Sequence, residues 1–211
     1  SDVQQIENAG DRKCIEFRLY LWPDEIFHIP GLRELWLDNN LFKHIPADIG
    51  QLRQLRLISM RCNNLETLPP EICMLTNLKQ FILHGNKLKK LPEMFERLQA
   101  LTELDISNNQ FDEFPESLTS IVKLVELDVS KNKIPTLPMK LKRLRSMTTL
   151  NIAENKFKEV PKLLDALPWV RVYCDTGPLP TGPRASMPLV ISIQEEKDFE
   201  KAFRHKAEMI R

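Results

Sequence analysis

The chain has 211 residues, 42% of them apolar, and its 30 basic and 29 acidic side chains leave a formal charge of +1. That balance excludes a global electrostatic drive toward nucleic acid or an anionic membrane, and no apolar run approaches the about 18 residues of a membrane-spanning helix. Gly is scarce at 6 and Pro plentiful at 15, which gives the prolines positional meaning.

The opening stretch SDVQQIENAG has neither the basic start nor the apolar core of a signal peptide. The last residues, AEMIR, stop inside a helical-looking pattern, so a fragment of a longer protein is expected. Cys14, Cys62, Cys73 and Cys174 show no C-x-x-C pair and no zinc spacing, and the sequence contains no N-x-[ST] sequon. Free thiols in a reducing compartment follow, and with them a cytoplasmic location. Within 1–31, Pro23 stands among Leu19, Trp22, Ile26 and Ile29 in the spacing of the units that come after it, with Phe17 where those units carry Asn. An N-terminal cap and degenerate repeat is expected there.

From Leu32 onward the sequence repeats every 23 residues. Leu32 is followed by Leu55, Leu78, Leu101, Leu124 and Met147. A second column holds Asn40, Asn63, Asn86, Asn109, Asn132 and Asn155, and a third Pro46, Pro69, Pro92, Pro115, Pro138 and Pro161. The unit reads L-x-x-L-x-L-x-x-N-x-L-x-x-L-P-x-x-L-x-x-L-x-x, six times over 32–168, and all 42 of its apolar positions are filled by apolar residues. The L-x-L alternation has the period of a strand, and Pro fixes φ where the chain begins its return. One such turn cannot bury its own leucines, whereas stacked turns share a continuous core. An Asn amide carries donors and an acceptor, so an inward Asn on each turn satisfies backbone groups of its own and the adjacent turn. The Asn column is therefore structural.

This pattern resembles the leucine-rich-repeat superfamily. The 23-residue unit with "LP" at its centre is similar to the intracellular class that includes the Ras suppressor and the leucine-rich Ras–Raf scaffold proteins. The resemblance implies an α/β solenoid, a right-handed arc with a parallel concave β-sheet and short 3-10, helical or irregular convex segments. It also implies a partner-binding scaffold, with a small GTPase or a signalling complex around one as the partner.

Side chains between the inward leucines project from the open side of the sheet as a grid, about 4.8 Å apart between strands. One column carries Glu34, Leu57, Gln80, Glu103, Glu126 and Thr149, the next Trp36, Ser59, Ile82, Asp105, Asp128 and Asn151, and a third Asp38, Arg61, His84, Ser107, Ser130 and Ala153. Trp36, Leu57 and Ile82 are expected at solvent-facing positions beside Asp38, Arg61 and His84, which makes these six the candidate anchors for a partner. The bland alternative is scattered surface hydrophobes, with Trp36 covered by the N-terminal segment. Glu103, Asp105, Glu126 and Asp128 fall at the corners of a small rectangle, where like charges raise one another's pKa. A partner's Lys or Arg, a plain solvated face and a divalent cation are all open readings, the last the weakest because no tight loop gathers the ligands.

Cys62 and His84 fall on adjacent turns, but an open sheet surface offers no oxyanion site and no exclusion of water, so no catalytic residue is assigned. On the outer side, MKLKRLRSM (139–147) exposes Lys140, Lys142, Arg143 and Arg145, read first as a solvated face. The repeat ends near Pro168. WVRVYCD begins as another strand, and 169–183 is expected to be a capping turn followed by a Pro/Gly linker, TGPLPTGP. In 184–211, MPLVISI has the look of one more strand or a docking segment, and 194–210 reads as an amphipathic helix. The expected function is a non-enzymatic protein-interaction module with no cofactor, no metal and no nucleic-acid partner. The alternative is the targeting or regulatory domain of a larger enzyme such as a kinase, phosphatase or ubiquitin ligase.

Overall fold

The computed structural model describes residues 19–159 and 161–175, and the backbone of 189–191. The L-x-L segments become three-residue strands: β1 (Glu34–Trp36), β2 (Leu57–Ser59), β3 (Gln80–Ile82), β4 (Glu103–Asp105), β5 (Glu126–Asp128), β6 (Thr149–Asn151), β7 (Arg171–Tyr173) and β8 (Leu189–Ile191). They form one open parallel sheet in chain order. Register follows the 23-residue step as far as β6, with Leu35 opposite Ile58, Ile58 opposite Phe81 and so on to Leu150. The step to β7 is 22, because Leu150 faces Val172. The segment read as a capping turn thus supplies a strand, and β8 extends the sheet beyond it.

Each Pro of the third column acts as the hinge of the return. Pro46 is extended at φ −63 and ψ 152, and its carbonyl accepts the Ile49 N–H at 3.2 Å to open the 3-10 turn Ala47–Gln51. The same start recurs at Pro23, Pro69, Pro115, Pro138 and Pro161. In the third unit, Met94 enters the left-handed region at φ 65 and the 3-10 turn shortens to Phe95–Arg97. All the helical segments among the described residues are of this tight kind, which the solenoid tolerates because each spans little more than one turn. The molecule is an α/β solenoid whose returning side is built from 3-10 turns.

The core is the 42-position pattern made solid. Val160 lies outside the described residues; Leu32, Leu91, Leu137 and Phe157 pack partly buried against the core, and the remainder are buried. The worn N-terminal turn belongs to it. Ile26 and Phe27 are buried, and Trp22 stacks on Phe27 at 5.7 Å and leans on Phe42 at 5.0 Å.

The Asn ladder forms as its chemistry requires. Asn109 accepts the Leu88 N–H at 2.9 Å on its Oδ1. Its Nδ2 donates to the carbonyls of Leu83 in the preceding turn and of Ile106 and Ser107 in its own, at 3.0–3.1 Å. Asn63, Asn86, Asn132 and Asn155 repeat the arrangement, and Asn40 ties the ladder to the worn turn by accepting the Leu19 N–H at 2.8 Å.

A further column has no shared residue type. Asn39, Cys62, Gly85, Asn108, Lys131 and Glu154, each 23 apart, all adopt positive φ between 50 and 70. This is where the chain bends out of the strand, and the left-handed conformation there suits Gly and Asn but strains Cys, Lys and Glu. Residues 1–18 of the expected N-terminal cap and degenerate repeat, the Pro/Gly linker at 176–183 and the helix expected over 194–210 lie outside the described residues.

Candidate functional site

The parallel register places the ten candidate residues on one outward face of the sheet, on β1 to β5 and the residues just after them. Their exposure differs from the expectation. Trp36 is 49% exposed, but Leu57 and Ile82 are only 8% and 5% exposed. The reason is the crowding of the grid: Leu57 sits between Glu34 and Gln80, and Ile82 between Ser59 and Asp105, in register on neighbouring strands. Side chains packed about 4.8 Å apart cover one another even on the open side of a sheet. These two residues are a floor, and Trp36 is the apolar group that protrudes.

Asp38 is held by the next turn, its Oδ1 accepting the Ser59 hydroxyl at 2.6 Å and the Arg61 N–H at 2.7 Å. Arg61 is half-buried, and its Nε is a buried donor without a hydrogen-bond partner among the described residues. His84 Nδ1 lies 2.7 Å from Ser107 Oγ, and Ser107 Oγ donates to Asp105 Oδ1 at 2.5 Å. In this chain the serine stands between the imidazole and the carboxylate. Its proton is already committed to Asp105, so the set orients polar groups and does not activate a nucleophile. Cys62 is exposed, and its N–H donates to the His84 carbonyl at 2.8 Å, which binds the two residues through the backbone.

The four acids do occupy a rectangle, with Glu103 opposite Glu126 and Asp105 opposite Asp128. Asp105 is 6% exposed and Asp128 half-buried. Burial first, and then the Asp105 charge beside it, push the Asp128 carboxyl up to about 7, while bonds from Ser130 and Asn151 oppose the rise. Mutual repulsion is thus present, although desolvation outweighs it. Glu103 accepts a bond from Gln80 Nε2 at 2.6 Å. Among the described residues, no cluster of three or more His, Cys, Asp or Glu side chains is placed to hold a metal ion.

The buried Ser59, Ser107, Ser130 and Asn151 complete this network and were not singled out as site residues. The signal for two of them was present as Asp-x-Ser, since an Asp side chain readily accepts the N–H two residues on, as Asp105 does from Ser107 and Asp128 from Ser130. On the opposite side, Lys140 pairs with Glu116 at 2.9 Å and the Arg145 guanidinium lies 4.7 Å over the Trp169 ring. Half of the basic run is therefore engaged within the protein.

A family model described as a leucine-rich repeat region matches residues 23–129. No curated protein sequence matches the chain significantly. Similar solved structures include a leucine-rich-repeat protein of Leptospira interrogans, at 30% identity and a TM-score of 0.72, covering 77% of this chain and 43% of that one. An internalin, InlF of Listeria monocytogenes, shares the fold at 21% identity and a TM-score of 0.68, over 79% of this chain and 48% of that one. A third is the ectodomain of the Arabidopsis thaliana membrane receptor kinase GASSHO1/SCHENGEN3 in complex with CASPARIAN STRIP INTEGRITY FACTOR 2, at 27% identity and a TM-score of 0.65, over 74% and 20%. The chain spans less than half the length of each of these structures.

Proposed function

The chain belongs to the leucine-rich-repeat family, and from that membership we propose that it is a non-enzymatic, cytoplasmic scaffold that holds a protein partner against the outward face of its sheet. Leucine-rich-repeat proteins generally act as protein-interaction modules, and the Arabidopsis receptor ectodomain is itself bound to a protein factor. One observation carries the reading to this face: Trp36 protrudes from it, 49% exposed, as an aromatic anchor. The surface is held rigid by the Asp38, Asn63 and Ser107 bonds, so little ordering entropy is lost on association.

In this reading Trp36, Asp38, Arg61 and His84 grip the partner over the floor of Leu57 and Ile82, while Glu103, Asp105, Glu126 and Asp128 face a basic portion of it. A small GTPase or a complex around one is the partner that the intracellular pattern of the repeat suggests. The cysteine spacing supports the cytoplasmic location.

The test compares affinity capture by the native chain, by Trp36→Ala/Arg61→Glu and by Glu103→Lys/Glu126→Lys, followed by titration of the recovered protein against each. Loss in one double variant identifies the half that binds. Equal binding by all three rejects this face.

The receptor-kinase neighbour favours a second reading, in which the chain is the targeting or regulatory part of a larger enzyme such as a kinase, phosphatase or ubiquitin ligase. The sequence of the full-length gene product separates the two.

A further inference from the structure

We propose that the junction between β4 and β5 is a proton-operated seam: its outward side is tied while Asp105 and Asp128 hold one proton between them, and parts when that proton leaves. The two residues stand opposite each other in register, on strands about 4.8 Å apart. Asp105 is buried and Asp128 half-buried, so two charges there would be poorly solvated as well as close.

Outward side chains tie the strands on either side of this junction. Between β3 and β4, Gln80 Nε2 donates to Glu103 at 2.6 Å and His84 Nδ1 lies 2.7 Å from Ser107 Oγ. Between β6 and β5, Asn151 Nδ2 donates to Asp128 Oδ2 at 2.9 Å. Across the junction itself the facing groups are Glu103 with Glu126 and Asp105 with Asp128. An ionised carboxylate accepts hydrogen bonds and donates none, so a direct bond between Asp105 and Asp128 needs a bound proton.

Asp128 is the residue that keeps it, because burial first and then the Asp105 charge push its carboxyl up to about 7. Glu103 and Glu126 flank the pair on its own strands, His84 stands just after β3, and β6 contributes no titratable group to this face. Arg171 and Tyr173 on β7 and Arg61 after β2 lie farther along it, and Lys131 pairs with Glu154 in the bends after β5 and β6. His84 reaches the pair only through Ser107, whose hydroxyl donates to Asp105 Oδ1 at 2.5 Å.

The core side of the seam does not depend on the proton. Ile106 N–H donates to the Asp128 carbonyl and Asn108 N–H to the Ser130 carbonyl, both at 2.9 Å. Asn132 bonds across to the Ile106 carbonyl at 3.0 Å, and Leu104 and Leu127 are buried behind the strands. Ionisation therefore acts as a one-sided hinge, parting the outward groups while the core holds. On the partner-binding reading given above, it moves Glu126 and Asp128 relative to the rest of the face.

Hydrogen exchange of the full chain, followed residue by residue by NMR and normalised to the intrinsic rate at each pH, tests the seam without any partner. Its result therefore stands apart from that of the capture experiment. The closed seam holds a proton that the opened one releases, so protection falls as pH rises and levels off above about 7. Protection of the Ile106 and Asn108 N–H groups is expected to drop about tenfold or more from pH 5 to pH 8. Met60 N–H, which bonds to the Ile82 carbonyl across β2 and β3 at 2.9 Å, should change far less. Asp128→Asn supplies an amide donor with no proton to lose and should show equal protection at both pH values. Asp105→Asn places that amide on the other strand and should do the same. His84→Gln should leave the native drop in place. Circular dichroism confirms that each variant is folded. A native chain with constant protection, an equal drop at Met60, a drop that survives either Asn variant, or its loss in His84→Gln overturns the proposal.

Discussion

Asp105 and Asp128 stand opposite each other on β4 and β5, and burial together with the Asp105 charge pushes the Asp128 carboxyl up to about 7 from an ordinary value near 3.8. Between those two values the folded protein holds a proton that the unfolded chain releases, so stability declines as pH rises through that window. The decline is of order 2–4 kcal/mol. Urea midpoints should fall between pH 5 and pH 8, and Asp128→Asn should flatten that slope. A slope that survives the substitution assigns the effect elsewhere.

Interrupting the Asn ladder should be costly in proportion to burial. Asn109→Ala leaves the Leu88 N–H and three carbonyls without their amide and is expected to cost about 3 kcal/mol. Asn40 is half-buried near the end of the array, and its replacement by Ala should cost roughly half as much. Chemical unfolding of the two variants measures the difference.

The left-handed column predicts changes of opposite sign. Gly85→Ala places a Cβ at φ +70 and 3.3 Å from Cys62 Sγ, and it should destabilise by about 1–2 kcal/mol. Lys131→Gly relieves strain at φ 53 and gives up exposed pairing such as that with Glu154, which is worth little, so a gain of about 0.5–1 kcal/mol is expected. Thermal melts of both variants suffice, since the signs alone decide.

Ile82 separates a floor from a protruding patch. As a residue 5% exposed, its truncation to Ala should cost about 2–4 kcal/mol, whereas a solvent-facing Ile would give less than about 0.5 kcal/mol. Equilibrium unfolding of Ile82→Ala distinguishes the two.

The contrast between Asn63 and Ile82 shows what the sequence made legible. Asn63 has a role set by its own chemistry and repeated every 23 residues, so its bonds could be read in advance. The buried leucines and the hinge prolines were legible for the same reason. The burial of Ile82 was not, because it comes from Ser59 and Asp105, residues 23 away on either side, and not from any property of Ile82 itself. The bend at Cys62, Lys131 and Glu154 was hidden because five residue types at six positions share one backbone angle. Likewise the 22-residue step into β7 and the link from His84 through Ser107 to Asp105 depend on how turns stack. In the candidate site, membership of the face was readable, while the division into floor, protruding aromatic and hydrogen-bonded carboxylates was not.

The three-residue strands lie across the long axis of the molecule, and each is joined only to its neighbours before and after it. A force drawing the two ends apart would load the bonds between turns in tension, one layer at a time, with no strand among the described residues longer than three residues to resist by shear. The solenoid should therefore yield to traction like a zip, at low force and in steps of about one 23-residue turn.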